Sequence, residues 1–115
     1  MASKGGRASK QKGSRFEREA VDLLQTAGFA AERVPLSGAA GGRFSGDISV
    51  PICGIDRTIE CKVRESGFCQ LYRWLEKHYA VIAKADRQEA LITMRLSDFS
   101  EIASIAERNE ALTRK

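Results

Sequence analysis

The stretch Gly46-Asp47-Ile48-Ser49-Val50-Pro51-Ile52-Cys53-Gly54-Ile55-Asp56-Arg57-Thr58-Ile59-Glu60-Cys61-Lys62-Val63 reads as two short strands around a turn-rich centre. Strands are expected at about 46 to 50 and 57 to 63, with Pro51 to Asp56 folding the chain back. A strand sends successive side chains to opposite faces, so Thr58, Glu60 and Lys62 share one face while Ile59, Cys61 and Val63 take the other. Pairing the two strands brings Asp47 near Glu60, and two carboxylates and an ammonium then converge.

Clustered hard oxygen ligands suit Mg²⁺ or Mn²⁺, ions that keep several waters and leave room for a phosphate oxygen. Lys62 fits a different task, orienting an attacking water and offsetting charge that builds on a phosphorus centre. Glu17, on a helix upstream, is a third carboxylate of the right kind. The plain alternative is a turn residue at Asp47 and a solvated strand face at Glu60 and Lys62, since Glu-x-Lys alone is a common triplet.

The 115 residues suffice for one domain and one core. Hydrophobic residues at 43% and charged residues at 30% are ordinary for a soluble protein. No apolar run is long enough to span a membrane, and Met1 to Arg7 lacks the apolar stretch of a secretory signal, so a cytoplasmic protein with no membrane partner is expected. Cys53, Cys61 and Cys69 contain no Cys-x-x-Cys pair and His78 is the only histidine, which argues against structural zinc and for reduced thiols. Net charge is +4, and Lys4, Arg7, Lys10 and Lys12 carry all of it, because basic and acidic residues cancel over 13–115. Residues 1–12 are therefore expected to form a flexible basic arm suited to phosphate contact or acting only as a solubilising tail, ahead of a single domain over 13–115.

Apolar Phe16, Ala20, Val21, Leu23, Leu24 and Ala27 recur at helical spacing behind Ser14 and before Gly28, which predicts a first helix. Phe29 to Val34 reads as a strand and Pro35 to Gly42 as a loop. Phe68, Leu71, Tyr72 and Leu75 predict a second helix to about Lys77, whose apolar face is a candidate interface between copies, with Trp74 pointing elsewhere. Tyr79 to Ala83 lacks polar alternation and predicts a strand covered on both faces; Ala90 to Arg95 predicts another. Ser97 is placed to cap a final helix carrying Phe99, Ile102, Ala103 and Ala106. The order α-β-β-β-α-β-β-α argues for an α/β fold, a mixed central sheet flanked by helices.

Five segments together carry a resemblance: Lys12-Gly13-Ser14-Arg15-Phe16-Glu17-Arg18-Glu19, Gly28-Phe29, Arg33-Val34-Pro35-Leu36-Ser37-Gly38, Gly46-Asp47-Ile48 and Ile59-Glu60-Cys61-Lys62-Val63-Arg64. Over roughly residues 12–99 the chain resembles the archaeal-type Holliday junction resolvases of the PD-(D/E)xK nuclease superfamily, whose relatives also occur in bacteriophages. The resemblance implies a restriction-endonuclease-like fold and Mg²⁺, replaceable by Mn²⁺, bound by Glu17, Asp47, Glu60 and the backbone carbonyl of Cys61. It implies catalytic roles for Lys62 and Ser37, and junction phosphate contacts from Arg18 and Arg33, to which Lys12, Arg15, Arg43 and Arg64 add a basic rim. The expected activity is paired phosphodiester hydrolysis in opposing strands of a four-way DNA junction, leaving 5′-phosphate and 3′-hydroxyl ends. Symmetric incision implies a homodimer. No small-molecule cofactor is expected.

Two other functions compete: a superfamily nuclease acting on duplex, flap or fork DNA in repair or restriction, and a DNA-binding module without catalysis. Individual residues have competing structural roles as well. Ser14 and Glu17 have the spacing of a capping box, Arg33 can pair with Glu32 or Asp22, Ser37 and Arg43 can be ordinary loop residues, and His78 a surface residue. Gln70 falls where related nucleases carry a glutamine near the active site, and Lys84 is a further candidate for DNA. Gly46 departs from the superfamily, which often has proline before the first aspartate.

Overall fold

A computed structural model describes residues 2–34 and 46–114. In chain order the elements are α1 (Ala2–Thr26), β1 (Glu32–Arg33), β2 (Ile48–Ile52), β3 (Ile55–Ile59), α2 (Cys69–Leu75), β4 (Ala80–Ala83), β5 (Leu91–Met94) and α3 (Leu96–Arg114).

Helix α1 buries one stripe, Ala20, Val21 and Leu24, as its periodicity predicts. It ends in a Schellman motif: the Phe29 amide donates to the Leu24 carbonyl at 3.0 Å and the Gly28 amide to that of Gln25 at 3.0 Å. Gly28 has φ 103°, a value its missing Cβ permits, and Leu24 and Phe29 both enter the core. The start of α1 differs from expectation. Helical backbone begins at Ala2, not Ser14, so residues 2–12 extend the helix where an arm without regular structure was expected. Once the packed segment pays for nucleation, each further residue adds a hydrogen bond, and Ala2, Lys4, Arg7, Ala8, Lys10, Gln11 and Lys12 are good or fair helix formers.

Strands β1, β2 and β3 form one antiparallel sheet in that order, with Arg33 opposite Ile48, and Ile48 opposite Ile59. The turn between β2 and β3 is tighter than expected. Cys53 and Gly54 alone form it, with φ 52° and 82°, the two positive values of the hairpin turn that suits strand twist. Pro51 lies inside β2, beyond the two residues that β1 covers, where a strand with one neighbour can hold a proline. Ile48 and Val50 are wholly buried beneath α1 together with Ala103 of α3.

The expected single mixed sheet is not formed among the described residues. Strands β4 and β5 make a separate antiparallel pair, Ala80 opposite Met94 through Ala83 opposite Leu91. Pairing with the next strand along the chain closes a short loop and costs less entropy than a crossover onto β3. Nor is β4 covered on both faces: α2 packs against it, yet Ile82 is 75% exposed. Helix α3 begins at Leu96, one residue before the expected Ser97 cap, and its Glu107 carboxylate accepts the Cys53 amide, fastening the β2–β3 turn. No helix of the described residues is long and apolar enough to cross a membrane.

Candidate active site

The antiparallel ladder between β2 and β3 continues one step beyond the strands, where the register sets Asp47 opposite Glu60. The Asp47 amide donates to the Ile59 carbonyl at 2.9 Å, and the Asp47 carbonyl accepts the Val34 amide at 3.0 Å, so this residue is tied to both neighbouring segments. Its side chain closes the ladder: Asp47 Oδ2 accepts the Cys61 amide at 2.7 Å. That bond stands in for a backbone partner and explains why β3 stops at Ile59 instead of reaching Val63. Gly46 makes the approach possible. Its φ is 95°, and a Cβ there would meet Thr58 Cβ at 3.3 Å and the Ile59 carbonyl oxygen at 3.4 Å. Proline, fixed near −65°, cannot take this conformation, so the departure from the superfamily pattern follows from the backbone.

The predicted division of faces holds around the Glu-x-Lys triplet. Ile59 and Cys61 pack on the core, while Glu60 and Lys62 face solvent and pair with each other, Lys62 Nζ to Glu60 Oε2 at 3.0 Å. An ion pair so exposed adds little stability.

Glu17 comes from the other side, on α1. The capping-box alternative falls because Ser14 and Glu17 lie inside a helix that starts twelve residues earlier than Ser14. Glu17 is instead held by Arg33 of β1, whose Nε and Nη2 both donate to Oε1, at 3.2 and 2.9 Å. Arg33 Nη2 also donates to Ser14 Oγ at 3.1 Å, which accepts Arg18 Nη1 at 3.3 Å as well. Arg33 was expected to pair, if at all, with Glu32 or Asp22; the docking of α1 on β1 supplies a partner sixteen residues away.

Cys61 sits in the field of all three acids. Burial first, then the negative charges of Asp47, Glu17 and Glu60, push its thiol up to about 11. Carboxylates and a backbone carbonyl are the donor set of a hard divalent cation, so the chemistry of the residues fits Mg²⁺ or Mn²⁺. Their present spacing is looser: among the described residues no three acidic, histidine or cysteine side chains are gathered closely enough to hold an ion.

Of the expected basic residues, Lys12, Arg15, Arg18 and Arg64 are exposed and Arg33 is half-buried. Ser37 and Arg43 lie outside the described residues. Gln70 is exposed and accepts Arg73 Nη1 at 3.4 Å, and Lys84 and His78 are exposed as well. Sequence reasoning overlooked Arg95, which donates to the Leu75 and His78 carbonyls and so binds the end of α2 to the start of α3. The signal was a cation just after a strand, available to carbonyls at a helix end. The apolar face of α2 is only partly covered: Leu75 is buried and Phe68 and Leu71 are half-buried, but Tyr72 is exposed at the edge of a hollow of about 670 Å³ that these residues line with Thr93, Met94 and Leu96.

The sequence pattern of the family described as "Phage putative PDDEXK endonuclease" matches residues 8–114. The chain belongs to this family. The match spans both the carboxylate cluster and the C-terminal helices, and the family's description supports a nuclease. Among curated proteins and among solved structures, none matches the chain.

Proposed function

We propose that this member of the phage PD-(D/E)xK endonuclease family is a metal-dependent, structure-selective endonuclease that resolves four-way DNA junctions by paired hydrolysis in opposing strands. The observation that carries the reading is the placing of Asp47 against the Glu60-Cys61-Lys62 triplet, its carboxylate held by the Cys61 amide at 2.7 Å, in a chain that matches the endonuclease family over residues 8–114. Glu17, Asp47, Glu60 and the Cys61 carbonyl would hold Mg²⁺ or Mn²⁺, which supplies Lewis acidity and neutralises the acids. Lys62, on an exposed and adaptable stem, orients the attacking water and meets charge developing on the phosphate. Ser37, outside the described residues, belongs to the same proposed set. Lys12, Arg15, Arg18, Arg33, Arg43 and Arg64 contact phosphates, so recognition rests on backbone position and branch shape, with little base readout.

Cutting two strands symmetrically calls for a homodimer. With Leu75 buried and Phe68 and Leu71 half-buried beside the chain's own hollow, Tyr72, Trp74 and Ile82 are among the exposed apolar residues open to a partner copy.

Cleavage of a labelled four-way junction with Mg²⁺, set against linear duplex, flap and fork of the same sequence, tests the reading. Paired nicks confined to the junction and dependent on Asp47 are the expected outcome. Equal cutting of linear duplex would replace it with a general superfamily nuclease, and junction binding without cutting with a DNA-binding module.

A further inference from the structure

Arg33 cannot serve Glu17 and a phosphate at once. Its Nε and Nη2 are both spent on Glu17 Oε1, and Nη2 is shared with Ser14. A guanidinium grips a phosphate best with two parallel N–H groups, and only Nη1 stands outside these bonds. Glu17 is equally committed: its side chain is 17% exposed, and a carboxylate so placed, if its guanidinium left, would need another cation. Ser14 Oγ meanwhile draws Arg18 Nη1 and Arg33 Nη2 to one point, which leaves two guanidinium groups side by side at the rim of the carboxylate cluster. Two cations at one hydroxyl suit a tetrahedral oxyanion with two free oxygens, as a phosphodiester has.

We propose that Arg33 is a latch between two ligands: it holds Glu17 out of the cation site until a phosphate group of nucleic acid, seated on Arg18 and Arg33, draws it away. Phosphate binding then favours cation binding, and by linkage the cation favours phosphate to the same degree. Of the two proposed-site carboxylates held in ion pairs, Glu17 is the less exposed, at 17% against 54% for Glu60, so its release calls more strongly for a replacement cation. The latch rests on the metal-site reading above, and would keep the cluster poorly loaded until substrate arrives. Arg33 is here a positioning residue, acting through Glu17.

The test is Mn²⁺ binding to the full chain, followed by the electron-spin resonance of free Mn²⁺, with sulfate as the phosphate-like anion against chloride at equal ionic strength. Sulfate should tighten Mn²⁺ binding to the wild type. Arg33→Ala should tighten it without sulfate by about fivefold or more and abolish the sulfate effect. Adding Glu17→Gln to Arg33→Ala should remove that gain. Arg18→Ala, which deletes the same charge without touching Glu17, should give a smaller gain. Ser14→Ala loosens Arg33 while leaving the ion pair in place, so a smaller change in the same direction is expected even if Arg33→Ala fails to fold. Equal gains from Arg18→Ala and Arg33→Ala, or weaker binding in a folded Arg33→Ala, would overturn the latch alone. Mn²⁺ binding that is absent, or indifferent to Asp47→Asn, would overturn the metal-site reading and the latch with it.

Discussion

Two apolar β segments of this chain meet opposite fates. In β2, Ile48 and Val50 are 0% exposed; in the β4–β5 pair, Ile82 and Leu91 are 75% and 69% exposed. Composition does not separate them. Cover does: β2 has a strand on each side over Ile48 and Ser49, the apolar stripe of α1 and Ala103 of α3, whereas β4 has β5 and a helix of seven residues. An apolar run states a demand for cover and leaves open which element meets it. Asp47, the aspartate of the proposed site, stands at the end of the well-covered strand, fixed by three hydrogen bonds. A site that must hold its groups to fractions of an ångström gains from such support.

The sharpest way to break this comparison is to empty each region in turn. Leu24→Ala should cost about 2–5 kcal/mol in urea unfolding, because Leu24 is buried at the centre of the first region. Leu91→Ala should change stability by no more than about 0.5 kcal/mol. Similar losses at both positions would mean that the hairpin is packed as tightly as the sheet.

Catalysis divides the regions next. Asp47→Asn should lower the nicking rate at least about a hundredfold, and Asp86→Asn, in the β4–β5 turn, should leave it unchanged. Asparagine keeps an oxygen for the Cys61 amide, so the variant should remain folded; a matching loss of stability would assign Asp47 a structural role only.

A smaller effect is expected at the link between α3 and the hairpin turn. Glu107→Ala should cost about 1 kcal/mol by leaving the Cys53 amide without its acceptor, and Glu107→Gln less.

The finest distinction is chemical. With its thiol pushed up to about 11, Cys61 should be alkylated at pH 8 far more slowly than exposed Cys69 in the folded chain, and at a comparable rate in urea. Because the fold holds this proton more tightly than the unfolded chain, stability should fall as pH rises from about 9 towards about 11, and Cys61→Ala should flatten that fall. Fast labelling of Cys61 would mean that its thiol is less buried, or less subject to the charges of Asp47, Glu17 and Glu60, than the fold implies.

Much of the first region is legible in the sequence because its signals are local and periodic. Ala20, Val21 and Leu24 share a helical stripe, Gly28 ends it, and alternation separates Ile59 and Cys61 from Glu60 and Lys62. The apposition of Asp47 and Glu60 follows from one turn. Where the reading went astray, a distant partner or a tertiary choice decided the matter. Pro51 reads as a turn residue until the shortness of β1 is known. The Glu17–Arg33 pair needs the docking of α1 on β1, which joins residues sixteen positions apart. The extension of α1 to Ala2 depends on a nucleus formed downstream, and the separation of β4 from the main sheet on a choice between partners that composition leaves open.

Glu107 reaches back to Cys53 across fifty-four positions, and Ala103 of the same helix completes the core over Ile48 and Val50. During synthesis the hairpin that carries Asp47 and Glu60 must therefore wait, with its turn unfastened and its core open on one side, until α3 has left the ribosome. For an enzyme that would cut DNA, that order in time would be a safeguard: the blade is set only after the helix that clamps it has been made.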